Sequence, residues 1–332
     1  MTRRLFVSMC GLALVIAIAG LLPNSAVGQV PAKAAPAVRP LSPLRMPDGK
    51  PDLQGTWSFA TLTPMERPAN LAGLEFFSEK EAADYEKQVV ERNNKDRRDG
   101  PAESDVGRAY NDFWWDSGTK VVKTRRTSLV IDPIDGRIPP MTAAGRERQS
   151  ERAAKNRGHE FDGPENRPLP ERCLILQGAG PPVTPTAYNN NIQIVQGPGV
   201  VSILVEMGHE VRVIPTDGRP HLPPNVRLWK GDPRGHWDGD TLVVETTNFS
   251  DKNPFRGSSE NMKLTERFKR LDASTLIYQF TVDDPATWAK PWTVEIPLPK
   301  SDGQVFEYAC HEGNYGMVGA LAGARAEEKS TK

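Results

Sequence analysis

The spacing of apolar and polar positions changes character at Cys173. Beyond it, short apolar runs recur: Cys173 to Leu176, Asn191 to Gln196, Val200 to Ile214, Thr241 to Thr246, Leu264 to Leu271, Thr275 to Val282, Trp292 to Ile296 and Val305 to Cys310. Turn formers separate them, among them Gly197-Pro198-Gly199, Asp217-Gly218, Asp238-Gly239-Asp240, Asp272-Ala273-Ser274 and Asp302-Gly303. Short strands with tight connections predict an antiparallel meander, and so long a sheet closes on itself or folds over. The expected class is therefore mainly β: a meander closing into a calycin-like barrel or a strongly curved sheet, with two peripheral helices and long loops.

Before Cys173 the pattern is sparser. Gly55-Thr56-Trp57 opens a first strand. Ser78-Glu79-Lys80-Glu81 is a capping box that starts a helix running towards Arg92. Thr142 caps a second, nearly all-polar helix reaching about Lys155, which places it on the surface. Thr127 to Pro139 reads as a hairpin turning at Asp132-Pro133-Ile134-Asp135-Gly136. Strands never alternate with long helices, which argues against doubly wound and TIM arrangements.

Five segments follow. Residues 1–28 read as a signal peptide, with Arg3 and Arg4, an apolar run from Leu5 to Leu22, and cleavage after Ala26-Val27-Gly28. Thr2-Arg3-Arg4-Leu5-Phe6-Val7 has twin-arginine character, but the short basic region and greasy run favour the general secretory route. Residues 29–50 form a Pro/Ala-rich tether, 51–172 a loop- and helix-rich wrap, 173–316 the β core, and 317–332 a polar tail. The expected destination is the periplasm or the medium, with no membrane association after cleavage.

Charge changes the list of partners. The 42 Lys plus Arg balance 42 Asp plus Glu, so no net field draws the chain to nucleic acid. Loss of the signal removes Cys10 and leaves Cys173 and Cys310, which in an exported protein read as one disulfide.

The candidate chemistry centres on histidines. In Val200 to Ile214, read as one strand, His209 shares a face with Ile203, Val205, Met207, Val211 and Val213. An imidazole so placed needs partners and can serve as general base. Glu206 and Arg212 fall on the other face and can pair across solvent. Arg219 and His221 sit on the proline-stiffened Thr216–Pro224 loop. We assign His209, His221 and Glu206 as candidate catalytic residues. Arg219, Tyr188, Asn190, His311 and Trp237 are candidate substrate contacts. Asp238 and Asp240 can hold Ca2+ only with further oxygen ligands; no metal and no organic cofactor is expected. The Zn-protease, nucleophile-elbow and phosphate-loop signatures are missing from the sequence.

At these segments a resemblance emerges. Glu171-Arg172-Cys173, Tyr188-Asn189-Asn190-Asn191, Glu206-Met207 with His209, Asp217-Gly218-Arg219-Pro220-His221, Gly239 to Phe249, Asp284 to Trp288 and Tyr308 to Asn314 resemble a family of exported, β-rich proteins of soil bacteria with no assigned activity. The likeness covers most of the chain after about Met46 and implies export and a β fold, without supplying catalytic residues. Gly55-Thr56-Trp57 is also similar to the first strand of lipocalin-like barrels. The function expected is an exported acid–base enzyme on a small molecule, of lyase, isomerase or hydrolase type. The alternatives are a binder of an apolar or sugar-like ligand and a structural envelope protein.

Overall fold

The computed structural model describes residues 45–96 and 112–330; the expected signal peptide and most of the tether lie outside the described residues. Two antiparallel sheets form the body. The first has four strands in the order β1 (Gly55–Ser58), β3 (Asn191–Gly197), β4 (Val200–Val205), β5 (Glu210–Pro215). The second has six, in the order β2 (Val130–Asp132), β10 (Trp292–Pro299), β9 (Thr275–Asp283), β8 (Lys263–Arg270), β7 (Thr241–Thr247), β6 (Asp232–Asp238). Among the described residues a β-bridge from Trp57 to Lys300 links the two sheets, and no ladder joins β5 to β6. The structure is thus two sheets over one core, without a continuous closed ladder.

Period-two alternation explains the core. Ile192 and Ile194 on β3 and Val201, Ile203 and Val205 on β4 turn inward. They meet Leu242 and Val244 of β7, Leu264 and Phe268 of β8, Tyr278 and Phe280 of β9, and Trp292 and Val294 of β10 in one cluster. Each large side chain so buried contributes about 1.5–3 kcal/mol. Trp57 is fully buried and its indole Nε1 donates to the Leu53 carbonyl at 3.0 Å, so its one polar atom is satisfied. Side chains fill the space between the sheets.

The helices start where the sequence indicated. α1 (Glu79–Asn93) has the full capping box: Glu81 N–H donates to Ser78 Oγ at 3.2 Å, and Ser78 N–H donates to Glu81 Oε2 at 2.8 Å. α2 (Ala143–Asn156) is capped by Thr142, whose Oγ1 accepts from Gly145 N at 3.0 Å. A third helix, α3 (Tyr315–Ser330), stands where a polar tail was expected; none of its residues is buried. No helix among the described residues is long and apolar enough to cross a membrane.

Four readings are corrected. Cys173–Leu176 and Val305–Cys310 form no strands. β2 pairs with β10, Val130 opposite Val294, rather than closing a local hairpin. Asp232–Asp238, which falls outside the expected strands, is a strand paired along its length with β7. The supposed long strand from Val200 to Ile214 is a hairpin, broken at residues 206–209, where Gly208 (φ 81°) and His209 (φ 51°) adopt left-handed backbone and His209 N–H donates to the Glu206 carbonyl at 3.0 Å.

Cys173 and Cys310 are disulfide-bonded, with Cα atoms 5.7 Å apart across 137 residues. Nearby, Asn314 Nδ2 donates to the Glu171 carbonyl at 2.7 Å. The bond ties the end of the β core to its beginning. Closing so long a loop is worth about 4–5 kcal/mol in the chain-entropy model. Cys310→Ser and Cys173→Ser are therefore each expected to lower the unfolding free energy by several kcal/mol in a denaturant titration. Unchanged midpoints in both would show that the bond constrains nothing the fold does not already hold.

Candidate functional site

The histidine-centred constellation does not assemble. His209 lies exposed in the β4–β5 turn, not on an apolar face, and its Nδ1 is 3.2 Å from the Phe306 carbonyl oxygen. Glu206 is buried; it accepts from Asn191 Nδ2 at 2.7 Å and from Phe306 N–H at 3.4 Å. Together they clamp the Phe306 backbone, a tie-down of the C-terminal segment. Asp116 nearby is held above the ordinary carboxylate range, by burial first and the Glu206 charge second.

His221 is elsewhere, on the crossover between β5 and β6. Its Nδ1 is 3.0 Å from Asp232 Oδ2, which also accepts from Leu222 N–H at 2.9 Å, while Arg234 Nη1 donates to Asp232 Oδ1 at 2.6 Å. Burial alone would raise Asp232, but these donors outweigh it and hold the carboxyl below its usual value. Arg219 is exposed and paired to Asp217 through Nε at 2.9 Å. Asn190 is fully buried and structural, with Nδ2 donating to the Asp116 and Thr186 carbonyls. Tyr188 stacks on Tyr308 at 6.5 Å. His311 is exposed beside the disulfide. Trp237 lines a separate cavity of about 370 Å³ with Met46, Gln196, Gly199 and Thr216. The two aspartates considered for Ca2+ face arginines instead, Asp240 with Arg45 at 3.0 Å and Asp238 with Arg267 at 3.6 Å. No group of three or more His, Cys, Asp or Glu with metal-holding geometry occurs among the described residues.

What the fold does bring together is a charged opening between β5 and β6. The two strands start at the same end: Lys230, just before β6, pairs with Glu210 at the start of β5, and further along a Cβ on Gly235 would lie 2.9 Å from Ile214 Cγ2 and Thr216 Cγ2. Neighbouring strands running the same way without a ladder leave a gap. It holds a cavity of about 180 Å³, lined by Ala179, Gly180 and Pro181 on one side and by Glu210, Arg212, Lys230 and Pro233 among others. That is the volume of about six water molecules. Gly231 lets the chain enter β6 here: at φ 71°, a Cβ would lie 2.6 Å from Thr246 Cγ2 and 2.8 Å from the Thr247 carbonyl oxygen.

Arg212 links this opening to the core. The hairpin turn reverses which positions of β5 point inward, so Arg212 faces the interior and Val211 and Val213 are exposed at 59% and 55%. Its Nη2 donates to Thr246 Oγ1 at 2.8 Å and pairs with Glu266, which has 0% exposure. The proposed surface pair of Arg212 with Glu206 is thus replaced by a buried pair with Glu266. Tyr278 OH donates to the other Glu266 oxygen at 2.8 Å and accepts from Val183 N–H at 3.1 Å; burial above all pushes its ionisation far up. Arg212 Nε is buried with no partner, and an orphaned buried donor costs about 1–3 kcal/mol. Lys230 is pushed down to about 8 by burial, and the Glu210 carboxylate against it works the opposite way.

No family model, curated protein or solved structure matches this chain.

Proposed function

We propose that the chain is an exported enzyme that moves a proton on a small carboxylate-bearing substrate held in the β5–β6 opening. The observation carrying this reading is the convergence of Lys230, Glu210 and Arg212 on one partly open cavity. Arg212, with its Nε unpartnered, is the anchor for the carboxylate. Lys230 is the base: its amine takes the proton from the carbon next to the carboxylate, and the electron pair is delocalised onto oxygens facing Arg212. Return of the proton at a second carbon gives isomerisation; departure of a β-substituent gives elimination. Glu210 sets the protonation balance of Lys230. The cavity's size restricts the substrate to a few carbons. The disulfide fits an oxidising compartment.

The test works with a panel of candidate substrates. Short hydroxy-, keto- and unsaturated acids are incubated with the protein in D2O, and loss of Cα–H signal is followed by proton NMR. At least one acid is expected to exchange or convert far above the buffer rate. If none does while a carboxylate still protects the fold thermally, the site is a binding site and the catalytic reading falls.

A further inference from the structure

A separate concave site lies along α1, and nothing in the proposed reaction uses it. Two hollows of about 360 and 330 Å³ share Leu62, Asn93, Ser117 and Thr186 in their walls and so form one elongated cleft. Its charge is one-sided. Arg92, Lys95 and Arg256 line it against a single carboxylate, Asp112, which is already engaged by the Lys95 backbone N–H at 3.1 Å. Arg92 and Arg256 have no hydrogen-bond or ion-pair partner among the described residues. Arg256 is held at φ 50°, a left-handed backbone that costs a non-glycine residue on the order of 1 kcal/mol or more. Arg92 stands close enough to Tyr85 for its charge to act on the phenol.

The remaining walls are neutral and polar. Asn93, Ser117, Gln177 and Thr184 offer hydrogen-bonding groups, and Trp115 lines the other half of the cleft. Its indole Nε1 is buried without a partner, a donor that a bound group would satisfy. Two uncommitted guanidiniums select a carboxylate or sulfate; a run of amides and hydroxyls with an unpaired indole N–H selects a hydroxyl-bearing ligand; the length exceeds what a simple diacid fills. We propose that this cleft binds an acidic saccharide, a uronic acid unit placing its carboxylate between Arg92 and Arg256 and its hydroxyls along Asn93, Ser117 and the Trp115 edge. The site is independent of the β5–β6 opening, although the loop Gln177–Thr186 serves both, its tip lining one and its shoulders the other.

The test is calorimetric titration of the full chain with digalacturonate, its dimethyl ester and inorganic phosphate. Digalacturonate is expected to bind, with the ester at least tenfold weaker. Arg256→Gly suits the left-handed backbone and removes the side chain with its guanidinium, and Arg92→Gln lies on an exposed helix face; each should weaken binding at least tenfold while the circular dichroism spectrum stays unchanged. Trp115→Phe should weaken it less, and Lys269→Gln, an exposed residue on β8, not at all. Equal affinity for the ester, displacement by phosphate at matching concentration, indifference to both arginine variants, or no heat from digalacturonate would each overturn the assignment. None of these outcomes touches Lys230 or its proton-transfer assay.

Discussion

Arg212→Met is expected to destabilise the protein by about 3–5 kcal/mol, among the largest single effects outside the disulfide. The reason is what it leaves behind. Glu266 has 0% exposure and lies opposite Val244 of β7 and Phe280 of β9 in the core, with the Tyr278 hydroxyl donating to it. With Arg212 it is half of a buried pair; without it, a carboxylate faces only the Tyr278 hydroxyl. Desolvation of a lone charge is the dominant cost, far above the packing lost. Glu266→Gln should cost less, because an amide can still accept from Tyr278 and leaves the positive charge nearer the opening, where exposure of the Arg212 side chain is 12%. The double variant Arg212→Met/Glu266→Gln should recover much of the loss, since no uncompensated charge remains. Urea midpoints for the three proteins measure this. An Arg212→Met midpoint equal to that of the parent would mean that water reaches Glu266 and that the pair is not buried in solution.

This buried pair also shows how far the sequence could be read. Strands β3, β7, β8, β9 and β10 were legible because an inward residue recurs at every second position between strong turn signals. β6 was not. Its inward positions are Pro233, Gly235 and Trp237, and Asp232-Pro233-Arg234-Gly235 has the composition of a turn. Gly235 is needed there because Ile214 and Thr216 of β5 leave no room for a Cβ, a constraint that only the tertiary neighbour reveals. The break at residues 206–209 was hidden because Met207 and Val211 continue the parity of Ile203 and Val205. A four-residue turn reverses that parity, so the apolar face assigned to His209 does not exist. It also turned Arg212 from a surface residue into the inward partner of Glu266.

The candidate site was less legible than the fold for the same reason. Charged residues in strands read as solvent-facing, and Glu210, Arg212 and Lys230 carry no motif. One signal was available: Leu264, Glu266 and Phe268 alternate in β8, which puts an acid at an apolar position and demands a buried cation. The disulfide, by contrast, followed from cysteine count and compartment alone.

Lys230→Met is expected to lower proton exchange at the β5–β6 opening by about 10²–10⁴-fold, the usual contribution of a positioned base, with little change in fold. The pH dependence identifies the group. Because burial pulls Lys230 to about 8 from the ordinary 10.5, the free amine that acts as base accumulates as pH rises, so exchange should climb with a limb displaced from 10.5 towards 8. Glu210→Gln separates a base from a bystander. Removing the carboxylate withdraws the charge that favours the ammonium form, so the limb should move to still lower pH while exchange at pH 7 rises or holds. Stability follows with its own sign. A lysine depressed in the folded state is protonated more readily unfolded, so the folded form loses stability below the depressed value and regains it as pH climbs towards 10.5. Lys230→Met should flatten that rise. If Lys230→Met exchanges substrate at the parental rate, or if Glu210→Gln leaves the limb in place, Lys230 is not the base, and the opening serves to hold an anion through Arg212 alone.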